Sequence, residues 1–322
     1  MKRIGILTSG GDAPGMNACI RSAVRTSIAS GVEIIGVKRG YAGLITNEMP
    51  PLSRNDVSNI IHTGGSILES SRCPEFEKAE GRKRAIENLA KNEIEGLILI
   101  RGDGTFRGGA LLTEESTISI IGVPGTIDND VYGTDFTIGF DTAVNCAIEA
   151  IDRIRDTART FERVLFVEVI GHHTGFIALQ AGTAGGADSL VIPEQPLDVE
   201  GICRGLQEGH RLGKTSAIVV VAEAEKPGFS YEIAQRVAKK TGFETRVCVL
   251  GHLQRGGSPT AADRVLGTEL GAAAVQALID SVKGKMVGIV GDTITYTSLR
   301  DTWEKKKALS TRLETLTRLL AI

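Results

Sequence analysis

The sequence predicts an α/β protein built on mainly parallel sheets. Three observations lead there. Short β-branched runs alternate with longer stretches of helical period. Each run ends in a turn cluster. Glycine supplies 39 of 322 residues, about 12%, against roughly 7% in an average protein, and most of it gathers in those clusters. Alternation of this kind builds right-handed βαβ units whose sheets are covered on both faces. Ligands of such sheets bind beyond the carboxyl ends of the strands, so the loops after the strands are where chemistry is expected.

Taken in order, strands are expected at Arg3–Thr8, before Ser9-Gly10-Gly11, and at Glu33–Val37. Gly96–Ile100 runs into Arg101-Gly102-Asp103-Gly104, and Ser119–Val123 into Pro124-Gly125. Val164–Val169 precedes Ile170-Gly171-His172, Ser189–Ile192 stops at Pro193, and Ala217–Ala222 ends at Glu223. Val247–Leu250 precedes Gly251-His252, and Met286–Val290 precedes Gly291. Helices fill the intervals, the first over Ala18–Ala29. The length allows about two domains at roughly 150 residues each, and no Pro/Gly/Ser-rich linker separates them.

Lys and Arg total 37 against 39 Asp and Glu, a net charge of −2. No global basic field is available for nucleic acid or an anionic membrane, so phosphate binding has to be local. The longest apolar runs fall far short of the roughly 20 residues that span a bilayer, and the start MKRIGIL is too short for a signal peptide. The five cysteines Cys19, Cys73, Cys146, Cys203 and Cys248 are scattered, with no CxxC pair. Neither a disulfide framework nor a zinc site is indicated, and a cytoplasmic protein is expected.

Three loops carry candidate chemistry. Thr8 to Asn17 is a glycine turn between a strand and a helix, where backbone N–H groups and the positive helix end favour a phosphate; a bare βα turn explains it equally well. Arg101 to Gly109 holds Asp103 between glycines, which suits a Mg²⁺ that takes one or two carboxylates plus phosphate oxygens, although Asp and Gly also serve ordinary turns. Pro124 to Asp130 sets Asp128 and Asp130 two residues apart at a strand end, a pair able to divide proton abstraction and metal holding; a solvated Asx turn is the alternative. Together the loops suggest phosphoryl transfer, in which alignment and charge neutralisation do most of the catalysis. Arg72, Arg163, Arg246 and Arg255 are candidate cations, since guanidinium donates to phosphate in pairs. Gly209 to Thr215 imitates a P-loop, but it has one residue too few between its glycines and precedes a strand.

These residues resemble the bacterial-type ATP-dependent 6-phosphofructokinases over nearly the whole chain. The carrying motifs are GGDAPGMNA from Gly10, GDGT from Gly102, PGTIDND from Pro124 and GHLQRGGSP from Gly251. The resemblance implies two Rossmann-like domains with mainly parallel sheets and an active site in the cleft between them. An ATP-binding domain would comprise residues 1–140 plus 254–303, and a fructose 6-phosphate-binding domain residues 141–253 plus 304–322. It implies transfer of the ATP γ-phosphoryl group to the 1-hydroxyl of fructose 6-phosphate, with Mg²⁺ on Asp103. Gly11, Arg72, Cys73, Gly102, Asp103, Gly104 and Thr105 would line the ATP site. Asp128 would be the base, with Thr126 and Asp130 beside it and His172 near the transferring phosphate. Thr126, Ile127, Asp128, Ile170, Gly171, His172, Glu223, His252 and Arg255 would hold the sugar phosphate. Arg163 and Arg246 would come from a neighbouring subunit of a homotetramer. Arg21, Arg25, Arg54, Arg155, Asp188 and Lys214 match effector positions for ADP or phosphoenolpyruvate, but Leu212, Thr215 and Ser216 replace basic positions of regulated relatives, so altered control is expected. Glycines at 104 and 125 are expected to leave room for a nucleotide, favouring ATP over pyrophosphate as donor.

The chain departs from the family pattern in three places. MGR has become Ile170-Gly171-His172, exchanging a fixed charge for an imidazole with a pKa near ~6.5. GGDG has become Arg101-Gly102-Asp103-Gly104, and a nucleotide-binding arginine of some members is Glu77. A kinase for a related sugar phosphate such as tagatose or sedoheptulose phosphate, and a nucleotide-binding regulatory paralogue with weak catalysis, are the alternative readings.

Overall fold

The computed structural model describes residues 1–161, 163–171, 173–224 and 227–321. In chain order the first elements are β1 (Arg3–Thr8), α1 (Met16–Ala29), β2 (Glu33–Val37), α2 (Tyr41–Thr46), α3 (Ala79–Lys91) and β3 (Gly96–Arg101). Then come α4 (Asp103–Glu115), β4 (Ser119–Pro124), α5 (Phe140–Phe161), β5 (Val164–Val169), α6 (Phe176–Ala184) and β6 (Ser189–Val191). They are followed by α7 (Val199–Arg211), β7 (Ala217–Ala222), α8 (Phe229–Thr241) and β8 (Thr245–Val249). The last are α9 (Ala261–Ile279), β9 (Lys285–Val290), β10 (Thr293–Ser298), α10 (Asp301–Glu304) and α11 (Thr311–Leu320). Two compact units result, Met1–Asp141 with Arg255–Lys307, and Thr142–Gln254 with Ala308–Ile322.

The first unit holds a six-stranded sheet in the order β10-β9-β4-β3-β1-β2. All its pairings are parallel except β9 with β10. Ile4, Ile6, Leu97, Ile98, Leu99, Ile100, Ile120, Ile121 and Val123 are fully buried. Such unbroken apolar runs are what a sheet covered on both faces requires, and each large side chain removed from water contributes about 1.5–3 kcal/mol. The helix α9 lies against α1 because of two glycines one turn apart. A Cβ at Gly267 would stand 2.8 Å from Gly15 O, and one at Gly271 2.5 Å from Cys19 O. The strand β10 is not among the expected ones. Its segment Thr293–Ser298 alternates polar and apolar residues and is only half buried, as suits an antiparallel edge strand rather than a buried parallel one.

The second unit holds a four-stranded, wholly parallel sheet in the order β6-β7-β5-β8. One buried carboxylate organises it. Glu168 of β5 is inaccessible to solvent and accepts hydrogen bonds from Gly228 N (2.6 Å), Ser230 N (2.8 Å) and Ser230 Oγ (2.6 Å). The N-cap of α8 is Gly228, which has no side chain to cap the helix, so β5 supplies the cap. Glu168→Ala leaves these donors unpaired at about 1–3 kcal/mol each. An unfolding midpoint in urea lowered by the equivalent of ~3 kcal/mol or more is expected, with a smaller loss for Glu168→Gln, which keeps an acceptor oxygen. Among the described residues no helix is long and apolar enough to cross a membrane.

Candidate active site

In the six-stranded sheet the chain runs from β1 outward to β2 and then returns to the other side of β1 for β3, so the order reverses between β1 and β3. Loops diverge there and leave a crevice at the carboxyl ends of the strands. Register fixes which loops meet: Thr8 pairs with Ile100 and Arg101 with Pro124. The segments starting at Ser9, Gly102 and Gly125 therefore emerge side by side. The sequence-predicted residues Gly11, Gly102 to Thr105 and Thr126 to Asp130 are brought together on this edge. Thr105 Oγ1 donates to Ser9 O (3.3 Å), and Tyr41, stacked on Phe76, donates from its hydroxyl to Thr105 O (2.6 Å). Arg72 is exposed and Cys73 partly buried just before Phe76. Glu77 is also exposed.

Asp103 opens α4, where the positive helix end favours a carboxylate. Burial raises its pKa, with Asp128 adding to the rise and Arg107 opposing it. Asp128 is fixed by its neighbour: its Oδ2 accepts from Thr126 Oγ1 (3.2 Å), and its N–H donates to the same oxygen (3.3 Å). Thr126 is held in turn by Thr137, whose Oγ1 donates to Thr126 O (2.5 Å). Asp103 Oδ1 and Asp128 Oδ1 are both buried without a hydrogen-bond partner. Leaving such atoms unpaired is costly, and bare carboxylate oxygens suit a divalent cation and a substrate hydroxyl respectively. Among the described residues no group of three or more His, Cys, Asp or Glu could hold a metal. The bare Asp103 oxygen is a hard donor of the kind Mg²⁺ takes, one or two protein carboxylates sufficing for that ion.

The turn after Asp128 depends on residues that sequence reasoning missed. Asn129 has φ 54°; its Oδ1 accepts from Thr137 N (2.9 Å), and its Nδ2 donates to Asp135 O (3.2 Å). Lys307 donates to Asn129 Oδ1 (2.9 Å) and Asp135 O (2.8 Å), and burial pushes its pKa down to about 8. Only its position beyond the last strands, far along the chain, brings it here. Asn17 is a second such residue, bridging Thr63 O, Gly64 O and Ile67 N and so fixing a loop against α1.

Asp130 is raised from 3.8 to about 6, first by burial and then by Asp128 and Asp103, with Lys307 opposing. A raised carboxyl pKa means that the native state keeps a proton the unfolded chain has lost. The stabilisation is complete below the unfolded value and is lost as pH climbs through about 6. Comparison with Asp130→Asn, neutral at every pH, should give a stability difference that changes between about pH 4 and about pH 6.5 and is flat above about pH 7. Urea unfolding across that range is the measurement, and a flat difference throughout would remove Asp130 as the titrating group.

Glycine at 104 and glycine at 125 prove to differ. A Cβ at Gly104 would meet nothing within 4 Å, so there is open space for a ligand. At Gly125 it would lie 2.9 Å from Ile100 Cγ2 and 3.1 Å from Met16 Cε. The expectation that Gly125 leaves room in this direction is corrected: its small size serves packing. Arg101, the unexpected cation, lies along the first loop, with Nη1 donating to Gly11 O (2.5 Å). Burial lowers its pKa, Asp128, Asp12 and Asp130 oppose this, and Arg255 adds to it.

In the four-stranded sheet β5 lies between β7 and β8, and register pairs Val169 with Ala222 and Glu168 with Val249. The segments carrying Ile170-Gly171, Glu223 and Gly251-His252 therefore leave the same edge. The backbone N–H of Ile170 donates to Gln254 Oε1 (2.7 Å), and Gln254 Nε2 donates to Ala143 O (3.1 Å). Glu223 is partly buried and His252 exposed. His172 lies outside the described residues. Arg163 and Arg246 are not brought to this edge. They stand at the amino ends of β5 and β8, where both pair with Glu244, Arg163 through Nε at 3.1 Å.

Of the candidate effector residues, Arg21 and Arg25 share one face of α1, four residues apart, and Arg54 is exposed. Arg155 donates to Gly185 O and Gly186 O. Lys214 donates to Asp188 Oδ1 (2.7 Å) and Ala321 O (2.6 Å), and the two side chains line a cavity of about 260 Å³ with His210 and Phe243. The P-loop look-alike is the end of α7 and the turn after it, so it precedes β7 instead of following a strand as a P-loop does.

Residues 3–278 match the family model described as phosphofructokinase. Over 322 residues the chain is 54% identical to an ATP-dependent 6-phosphofructokinase 1 of Thermus thermophilus and 50% identical to the ATP-dependent 6-phosphofructokinase of Bacillus subtilis, covering 100% of both partners in each case. A phosphofructokinase structure from Saccharomyces cerevisiae superposes with a TM-score of 0.90 at 33% identity, covering 100% of this chain and 48% of that one, so the chain spans about half of the yeast polypeptide. A pyrophosphate-dependent phosphofructokinase from Marinobacter aquaeolei shares the fold, with a TM-score of 0.86 at 22% identity over 100% of this chain and 92% of that one. With three glycine-rich loops converging on two bare carboxylate oxygens, and a family match over most of its length, the chain belongs to the phosphofructokinase family.

Proposed function

We propose that the protein transfers the γ-phosphoryl group of ATP to the 1-hydroxyl of fructose 6-phosphate, giving fructose 1,6-bisphosphate and ADP in glycolysis. The observation that carries this reading is the pair of partnerless oxygens, Asp103 Oδ1 and Asp128 Oδ1, on adjacent loops beside the Gly10-Gly11 turn. Mg²⁺ held by Asp103 would neutralise charge on the donor phosphates.

The protein groups divide the remaining work. Asp128 takes the proton of the sugar hydroxyl as the new oxygen–phosphorus bond forms and the bond from the γ-phosphorus to the bridging oxygen of ADP breaks. Thr126 holds the Asp128 carboxylate in line, and Asp130 stands beside it. Gly11, Arg72, Cys73 and Gly102 to Thr105 bind the nucleotide, the open side of Gly104 admitting its bulk. Ile127, Ile170, Gly171, His172, Glu223, His252 and Arg255 hold the sugar phosphate. Arg163 and Arg246 belong to the opposite edge of their own sheet, which supports their service to a second copy in a homotetramer. Arg21, Arg25, Arg54, Arg155, Asp188 and Lys214 would take an ADP or phosphoenolpyruvate effector. The working compartment is the cytoplasm.

Purified protein offered fructose 6-phosphate with ATP and Mg²⁺, and separately with pyrophosphate, tests the reading. Turnover is expected with ATP and little with pyrophosphate, and kcat/KM should be higher for fructose 6-phosphate than for tagatose or sedoheptulose phosphate. Nucleotide binding without turnover on any acceptor would overturn it in favour of a regulatory protein.

A further inference from the structure

The side chain of Arg101 does not behave like a structural arginine. It leaves the last position of β3 and turns back along the first loop, where Nη1 donates to Gly11 O (2.5 Å). That is its one hydrogen bond among the described residues, from a group with five N–H donors, and no carboxylate among them lies within ion-pair distance of it. Asp128, Asp12 and Asp130 surround it at longer range. An arginine held for structural reasons ordinarily spends its fork on a carboxylate or several carbonyls, as the more deeply buried Arg82 does with Glu115, Phe76 O and Glu77 O.

A second guanidinium meets it. A Cβ built on Gly11 would lie 2.8 Å from Arg255 Nη1 and 3.1 Å and 3.2 Å from Arg101 Nη1 and Nη2. One built on Gly10 would lie 2.6 Å from Arg101 Nε. Two like charges converging on one backbone position repel each other. Paired guanidinium forks match the oxygens of a phosphoryl group. The space beside Gly104 stays open, so Arg101 does not crowd a nucleotide there; its place is on the Gly11 and Asp128 side.

We propose that Arg101 is a further catalytic residue which, beside the sugar-phosphate ligand Arg255, contacts the γ-phosphoryl group of the donor as it passes toward the hydroxyl that Asp128 deprotonates. The inference deepens the kinase reading above and rests on it. Arg101 supplies fixed positive charge where three carboxylates would otherwise repel the transferring group, and a side chain at Gly11 would displace the two forks.

The test separates the γ-phosphate from the rest of the nucleotide. ATP and ADP binding, each with Mg²⁺, is measured calorimetrically on the wild type, Arg101→Gln and Arg101→Lys, alongside turnover. For Arg101→Gln the expected result is about tenfold weaker ATP binding, less than about twofold change for ADP, and kcat lower by about 10²-fold, the range seen when one charge-stabilising donor is lost. Arg101→Lys keeps the charge without the fork, and kcat within about tenfold of wild type is expected. Gly11→Ala, with both arginines present, should lose kcat as Arg101→Gln does, because a methyl group there moves both forks. Equal weakening of ATP and ADP, or an unchanged kcat in Arg101→Gln, overturns the proposal. Should the glutamine variant fail to fold, the ATP-to-ADP affinity ratio of Arg101→Met, which removes the charge and keeps an unbranched side chain, decides, an unchanged ratio overturning it. A wild type inert toward fructose 6-phosphate would sink the kinase reading instead, while the ATP-to-ADP comparison still reports on Arg101.

Discussion

Asp128→Ser is expected to lower kcat by about 10³-fold while leaving KM for fructose 6-phosphate within about threefold of wild type. The first figure follows from the loss of a positioned general base, which contributes about 10²–10⁴-fold. The second follows from what the side chain touches. Asp128 Oδ2 is occupied by Thr126 Oγ1, so the reactive oxygen is Oδ1, which has no partner. An interaction made mainly in the transition state lowers kcat and kcat/KM together and spares KM. Serine keeps a small polar group near Thr126, so the loop anchored by Asn129, Thr137 and Lys307 is retained. Initial rates over a range of sugar phosphate concentrations provide the measurement. Turnover within tenfold of wild type would remove Asp128 as the base.

Asp103→Asn is expected to lower kcat/KM for Mg·ATP by about 10²–10³-fold, with no recovery at raised Mg²⁺. The same change should leave thermal stability equal or slightly higher. Burial raises the pKa of Asp103 in the absence of a cation, which means that its charge is disfavoured by the fold, and a neutral amide of the same shape relieves that cost. Activity lost without stability lost is the signature of a group held for a ligand. A parallel fall in unfolding temperature and activity would instead mark Asp103 as a structural cap of α4.

The glycine-rich loops are legible in the amino-acid sequence because each is contiguous and directly follows an apolar run. A strand end and the turn after it are local events, and Gly10 to Asn17, Gly102 to Thr105 and Pro124 to Asp130 carry their own signals. β10 is not legible in this way because Thr293–Ser298 is short and half exposed, so it lacks the apolar run that betrays a buried strand. Gly125 misleads for a different reason. Glycine is equally the residue of an open ligand site and of a tight contact, and only the positions of Ile100 and Met16 distinguish them.

Lys307 and Thr137 carry no motif, and Asn17, although inside the first glycine-rich motif, carries no sign of its contacts with Thr63, Gly64 and Ile67. Lys307 reaches Asn129 across 178 residues of chain, and nothing in the composition or periodicity near either residue announces the contact. The same holds for Arg101 and Arg255, each a single cation in a glycine-rich stretch until the fold sets them at Gly11.

The sequence by itself determined the α/β class, most strand positions, the three loops and the carboxylates at their tips, because hydrophobic period and turn chemistry act over a few neighbouring residues. The tertiary structure decided which oxygens are left without partners, which glycines are open and which are packed, and which distant cations meet. Those outcomes depend on sheet order and register, which bring together residues that have no neighbourhood in the chain.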